Sequence, residues 1–123
     1  MKILSLIIGG TVGTMTRYFF THVTYHFFGE GFPYGTLIVN LIGCFIIGIV
    51  SNLSSGTLFL TYNQRLLLIT GFCGAFTTFS TFIFETEHLF RSGEIIKAFL
   101  NLFLSLVLGF VIFKIGGTVG RAL

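Results

Sequence analysis

The polar side chains of this chain are few enough to be weighed one at a time for chemistry. Asn40 stands in Gly35-Thr36-Leu37-Ile38-Val39-Asn40-Leu41-Ile42-Gly43-Cys44, where Thr36, Asn40, Gly43 and Cys44 share one face of a helix. An amide in an apolar run has two N–H donors to place. It either bonds a neighbouring helix, worth around 1 kcal/mol, or offers a donor to a passing anion. Gly9, Gly13 and Arg17 also share a face, with Gly10 beside it. The glycines read as a small-residue packing stripe. Arg17 lies about one turn inside the end of its run, where it either snorkels to the interface or attracts anions at the mouth of an aqueous vestibule. Asn101, Ser105 and Gly109 form a third narrow stripe, as helix glue or as a lining. The densest cluster is Gly71-Phe72-Cys73-Gly74-Ala75-Phe76-Thr77-Thr78-Phe79-Ser80-Thr81-Phe82. Its glycines and hydroxyl residues make a poor helix, so a break is expected there. In hydrocarbon a break is tolerated only in protein or beside a cavity, and the carbonyls it frees can bind a cation. Phe76, Phe79 and Phe82 recur every third residue along one side of it. Phenylalanine is mostly packing in a chain with 17 of them, and the surrounding hydroxyls set these apart.

The elements that hold these residues follow from composition. The chain has 123 residues, 54% hydrophobic and only 9% charged, against roughly 25% charged in soluble domains. Its mean hydropathy is +0.97. Four acids and seven bases cannot cover a water-facing surface, so the chain belongs in a bilayer, in contact with lipid. Charges at the bilayer centre cost about 2.5 to 3.5 kcal/mol on insertion scales, so they mark the ends of spans. Four all-α spans of a single domain, residues 1–123, fit between them, near 3–20, 34–53, 66–84 and 98–116. Strand alternation is absent and each segment is too long for a barrel strand. The loops 21–33, 54–64 and 85–97 are too short for a soluble domain. Glu85 and Glu87 fall at a span end, leaving no carboxylate inside the membrane. The first run has a signal peptide's basic start and apolar core, yet continues into Arg17-Tyr18 without a small-residue cleavage site, so it is read as retained. Cys44 and Cys73 are small packing residues, with no His or acid at ligand spacing. No nucleophile, base and orienting group sit together, which speaks against an enzyme. The scattered net charge of +3 forms no nucleic-acid patch.

Charge also bears on orientation. Lys2, Arg65, Lys114 and Arg121 fall on one side and Arg17, Arg91 and Lys97 on the other, almost no bias under the positive-inside rule. Either the first helix decides, or the chain inserts both ways and forms antiparallel dimers about an axis in the membrane plane.

Three blocks make the chain resemble the Fluc (CrcB) family of fluoride channels. They are Gly9-Gly10-x-x-Gly13-x-x-x-Arg17-Tyr18, Gly35-Thr36-Leu37-x-Val39-Asn40-x-x-Gly43-x-Phe45-x-x-Gly48, and the Gly71 to Phe82 segment. Ala75 departs from the family, which often has glycine there, and the fourth span matches loosely. The resemblance implies an antiparallel, dual-topology homodimer of four-helix subunits with a broken third helix. It also implies two narrow fluoride pores, a central structural sodium ion, and a multi-pass place in the inner (plasma) membrane. Asn40 would donate to fluoride, and Phe79 and Phe82 would line the pores with ring edges. Backbone carbonyls of Gly74 and Thr77 from both subunits would hold sodium. Thr81 and Ser105 would extend a polar track, with Thr36 and Asn101 as further candidates and Arg17 near a vestibule. Phe76 is not a matched pore ring.

The chemistry implied is coherent. Fluoride is the smallest halide and the strongest acceptor among them, so a pore must replace its water with close donors. A ring's positive edge favours an anion without a fixed charge to trap it. Without an embedded acid, passive flow is expected. Two rivals remain: a small dual-topology exporter of another solute, which needs such an acid, and a non-transporting assembly subunit, which leaves the Thr77 to Phe82 segment unexplained.

Overall fold

The computed structural model describes residues 1–53 and 58–123. The expected loop 54–64 thus lies partly outside the described residues. Four helical stretches are long and apolar enough to cross a membrane: Lys2–Phe28, Tyr34–Asn52, Tyr62–Arg91 and Ile95–Ala122. Among the described residues there is no strand. Helices α1 (Lys2–Phe28) and α2 (Tyr34–Asn52) are continuous α-helix. The third stretch is built from α3 (Tyr62–Arg65), a π-helical segment (Leu66–Cys73), α4 (Gly74–Phe76) and α5 (Phe79–Arg91), and α6 (Ile95–Ala122) is again continuous.

Most helix ends pass the bounds expected from sequence. His22 and His26 are helical rather than in a loop, and the loop expected over 85–97 shrinks to Ser92, Gly93 and Glu94. An apolar run measures what hydrocarbon tolerates. The backbone gains helical bonds further out, where charged and imidazole side chains reach water. The start of α3 shows the local reason for one boundary. Thr61 Oγ1 accepts the Gln64 N–H at 3.3 Å while the Thr61 N–H donates to Gln64 Oε1 at 2.8 Å, a reciprocal cap.

Helix α1 packs against the π-helical segment, and α2 against α6. The glycine stripe of α1 allows the first contact: a Cβ at Gly9 would strike the Leu67 carbonyl, and one at Gly13 the Phe72 carbonyl. The stripe is therefore a backbone-to-backbone packing face. Val39, Cys73, Phe76 and Ala98 fill the interior. Arg65 ties down the far end of α2, its guanidinium donating to the carbonyls of Val50 at 3.1 Å and Leu53 at 3.0 Å, which a helix C-terminus leaves without partners.

Candidate functional site

Thr77 (φ −84°, ψ 159°) and Thr78 (φ −151°, ψ 118°) are extended, between α4 and α5. Asn40 of α2 lies across from them and spends its amide there. Its Nδ2 donates to the Thr78 carbonyl at 3.0 Å, and the Thr78 N–H donates to Asn40 Oδ1 at 2.8 Å. One N–H of Asn40 is left over. Thr78 also caps α5, its Oγ1 accepting the Thr81 N–H at 3.3 Å and donating to Thr81 Oγ1 at 3.0 Å. On the other side, the Thr77 N–H and Oγ1 both donate to the Cys73 carbonyl, at 2.9 and 2.8 Å. Gly43 admits Thr77 to this place, since a Cβ there would overlap the Thr77 methyl.

These bonds have a consequence for two carbonyls. In an uninterrupted helix the N–H groups of Thr78 and Thr81 would bond the carbonyls of Gly74 and Thr77. Here they donate to Asn40 Oδ1 and Thr78 Oγ1 instead. Gly74 is exposed on the subunit surface, and a Cβ on it would meet nothing nearer than the Ile69 carbonyl at 3.8 Å. Two oxygen donors relieved of their helical partners are the hard ligand type an alkali or alkaline-earth cation takes, so these residues fit a sodium ion. Among the described residues no group of three or more His, Cys, Asp or Glu side chains could hold a metal.

The candidate residues divide between two adjoining cavities. Asn40, Phe79, Phe82 and Ser105 line a groove of about 260 Å³ together with Cys44, Thr77 and Thr78. The Phe79 and Phe82 rings stand 5.9 Å apart at 51°. Phe82 is 5% exposed and Phe79 74% exposed, so one ring is seated in the subunit and the other faces outward. Ser105 Oγ is buried beside the groove with no hydrogen-bond partner among the described residues. Arg17, Thr36 and Thr81 line the second cavity, also about 260 Å³, with Thr14, Tyr18, Thr21 and, again, Thr78. Thr78 is thus the wall common to both. Arg17 forms no ion pair among the described residues; the two ion pairs present are Arg91 with Glu87 and Lys97 with Glu94.

One candidate, Asn101, is placed elsewhere, as is Phe76, which was not matched to the pore. Asn101, 1% exposed, is in neither cavity: its Nδ2 donates to Thr86 Oγ1 at 2.8 Å, and that hydroxyl donates to the Phe82 carbonyl at 2.7 Å. It is helix glue, joining α6 to α5. Phe76, 1% exposed, stacks on Phe72 and meets Phe20 edge-on.

Glu85 corrects the reading of the acids. It does not sit on a solvated span end but turns into the bundle. Its Oε1 accepts hydrogen bonds from Tyr25 at 3.0 Å and Thr36 at 2.9 Å, and its Oε2 is buried without a partner among the described residues. A cavity of about 300 Å³ lies beside it, lined also by Glu30 and His88. Counting apolar runs ended the span at Phe84; the signal that finds Glu85 is its place three residues after Phe82, on the inward side of α5.

Four spanning helices around grooves lined by amide, hydroxyl and phenyl groups define a small multi-pass membrane protein. The family model described as CrcB-like protein, Camphor Resistance (CrcB), matches residues 4–117, and the chain belongs to that family. Curated relatives agree over nearly the whole length. The chain is 39% identical over 122 residues to a protein of Dehalococcoides mccartyi, covering 99% of this chain and 94% of the relative. It is 42% identical over 120 residues to one of Maridesulfovibrio salexigens, covering 98% and 95%. It is 47% identical over 108 residues to one of Chlorobium phaeobacteroides, covering 88% and 84%. All three relatives are named fluoride-specific ion channel FluC.

Proposed function

We propose that this protein is a passive, fluoride-selective channel of the inner membrane that works as an antiparallel homodimer with a broken third helix. The observation that carries the reading is the gathering of Asn40, Phe79, Phe82 and Ser105 along one groove of a CrcB-family chain. The remaining Asn40 N–H and the unpartnered Ser105 hydroxyl supply donors for a dehydrated anion, and ring edges add attraction without a trapping charge. Arg17 and the threonines of the adjoining cavity gather anions at the vestibule, and Thr78 separates the two spaces. The groove is open on the subunit surface and carries polar groups at spanning-helix depth, where lipid offers them no partner. A second copy covering Phe79 and Gly74 resolves this. Its inverted copy of Gly74 and Thr77 completes a carbonyl cage for a structural sodium ion. The cell benefits through acid–base chemistry: neutral hydrogen fluoride enters, ionises in the more alkaline cytoplasm, and the membrane potential expels the anion at about 2.3 kcal/mol per charge per 100 mV.

Glu85 favours one second reading, a proton-coupled exporter of another solute, because it is the acid such a carrier needs. Efflux from liposomes holding purified protein, with valinomycin carrying potassium, separates the two. Fast fluoride release with chloride retained is the expected result. No fluoride release from folded dimers would remove the channel reading and leave the exporter and the assembly subunit.

A further inference from the structure

We infer that Asn40 is the positioning residue of the cation site: by taking the Thr78 N–H, it keeps the Gly74 carbonyl free to act as a ligand. The inference rests on the sodium reading above and deepens it. The Asn40 side chain does not reach the carbonyls in question. It acts through the backbone of Thr78, the one residue bonded by both ends of the amide, at 2.8 and 3.0 Å.

The argument is one of competing acceptors. Thr78 follows α4 directly, and a turn of helix continued through it would return its N–H to the Gly74 carbonyl. A buried N–H demands a partner, since leaving it unpaired costs about 1–3 kcal/mol. Asn40 Oδ1 meets that demand from α2, while Nδ2 holds the Thr78 carbonyl and so fixes the extended conformation from both sides. Thr77 contributes from within the chain. Its N–H and hydroxyl both bind the Cys73 carbonyl, and its own usual donor, the Thr81 N–H, is taken by Thr78 Oγ1. The carbonyls of Gly74 and Thr77 are thus released by two separate devices, of which only the Gly74 one depends on Asn40. One side chain then serves the anion with its spare N–H and the cation with its oxygen. An amide suits this double task because it carries two N–H donors and an acceptor, whereas a hydroxyl, with a single donor, could not hold the Thr78 carbonyl and an anion together.

The test reads sodium rather than flux. Thermal unfolding of the purified dimer is followed against sodium concentration, with N-methylglucamine holding the ionic strength, for the parent protein, Asn40→Leu and Asn40→Asp. Binding to the folded state stabilises it by RT ln(1 + c/Kd) at sodium concentration c, so the midpoint climbs once sodium exceeds Kd. The parent midpoint should rise with sodium. Asn40→Leu removes the acceptor, lets the Thr78 N–H return to Gly74, and should move the half-saturating sodium concentration upward by about tenfold or more. Asn40→Asp keeps an oxygen for the Thr78 N–H, so its sodium response should match or exceed the parent's, although its fluoride flux is lost. An unchanged response in Asn40→Leu overturns the inference while leaving the sodium site in place. If Asn40→Leu does not fold, the aspartate variant decides: a folded Asn40→Asp that has lost the response overturns it equally. A parent protein indifferent to sodium removes the cation site itself, and the inference with it.

Discussion

Replacing Phe79 and Phe82 by isoleucine separates what the rings do for the fold from what they do for the ion. Phe82 is 5% exposed and Phe79 74% exposed within the subunit. Phe82→Ile trades a buried ring for a smaller apolar side chain in a packed site and should cost on the order of 1–3 kcal/mol, between the Ile→Val and Phe→Ala classes. Phe79→Ile touches little of its own subunit, so any fall in the unfolding midpoint reports on the contact with the second copy rather than on the subunit core. If burial were all that mattered, Phe82→Ile would be the more harmful variant. If ring edges face the anion, the two should be similarly harmful, because each removes one positive edge. Such an edge contributes on the order of 0.5–1.5 kcal/mol in aromatic pairs, and about 1.4 kcal/mol is a factor of ten in rate. Each single variant should therefore lose up to about tenfold of fluoride flux, with more lost in the double variant. The assay is fluoride efflux from liposomes through an ion-selective electrode, with the dimer fraction checked by cross-linking of the same sample. Parent-like flux in Phe79→Ile with the dimer intact would refute the ring-edge argument, and so would a loss confined to Phe82→Ile.

Three further expectations are simpler. Asn101→Leu deletes the bond to Thr86 and should lower stability by about 0.6 kcal/mol, the average for interhelical bonds in membranes, and by no more than about 1.7 kcal/mol, with fluoride flux retained; abolished flux in folded protein would put Asn101 in the ion's route. Arg17→Gln should reduce conductance most at low ionic strength, the gap closing as the screening length falls from about 30 Å at 0.01 M to 10 Å at 0.1 M; equal conductance at both strengths would leave Arg17 as an interfacial anchor. Glu85→Gln keeps an acceptor for Tyr25 and Thr36 and should hold potential-driven fluoride flux to within about threefold; a far larger loss in folded protein would favour the proton-coupled reading.

The architecture was legible because hydrocarbon is a strict solvent. Seven bases and four acids in 123 residues mostly punctuate spans, and three of the four expected spans lie inside the helical stretches, while the second overruns Tyr34–Asn52 by one residue. The helix ends were not legible, since His22 and His26 are tolerated in a helix that has left the apolar layer. The grouping of Asn40 with Cys44 followed from helical period, as did the packing role of Gly9 and Gly13, whereas Thr36 on the same face lines the adjoining cavity. Pairing between elements is another matter. Nothing in the spacing of Asn101 says that Thr86 will meet it, and nothing in Glu85 beyond its interval from Phe82 says that Tyr25 and Thr36 will hold it. Those pairings arise from how α1, α2 and α6 cross the third stretch, and period-based reasoning about one helix carries no information on crossings.

The same limit hid the central economy of the site. Read on its own helix, Asn40 had two donors to place, and glue and anion donor looked like alternatives. The geometry makes them compatible. One N–H and the oxygen are committed to Thr78, which costs the site little because the Thr78 backbone needs those partners in any case. The commitment also holds the amide in one orientation, so its second N–H has a fixed direction. A donor held in this way meets a small anion without first losing rotamer freedom, whereas a free amide would give up part of its bond to that ordering. In the channel proposed above, rigidity at Asn40 and selectivity for a small, strongly hydrated ion would both follow from one pair of hydrogen bonds.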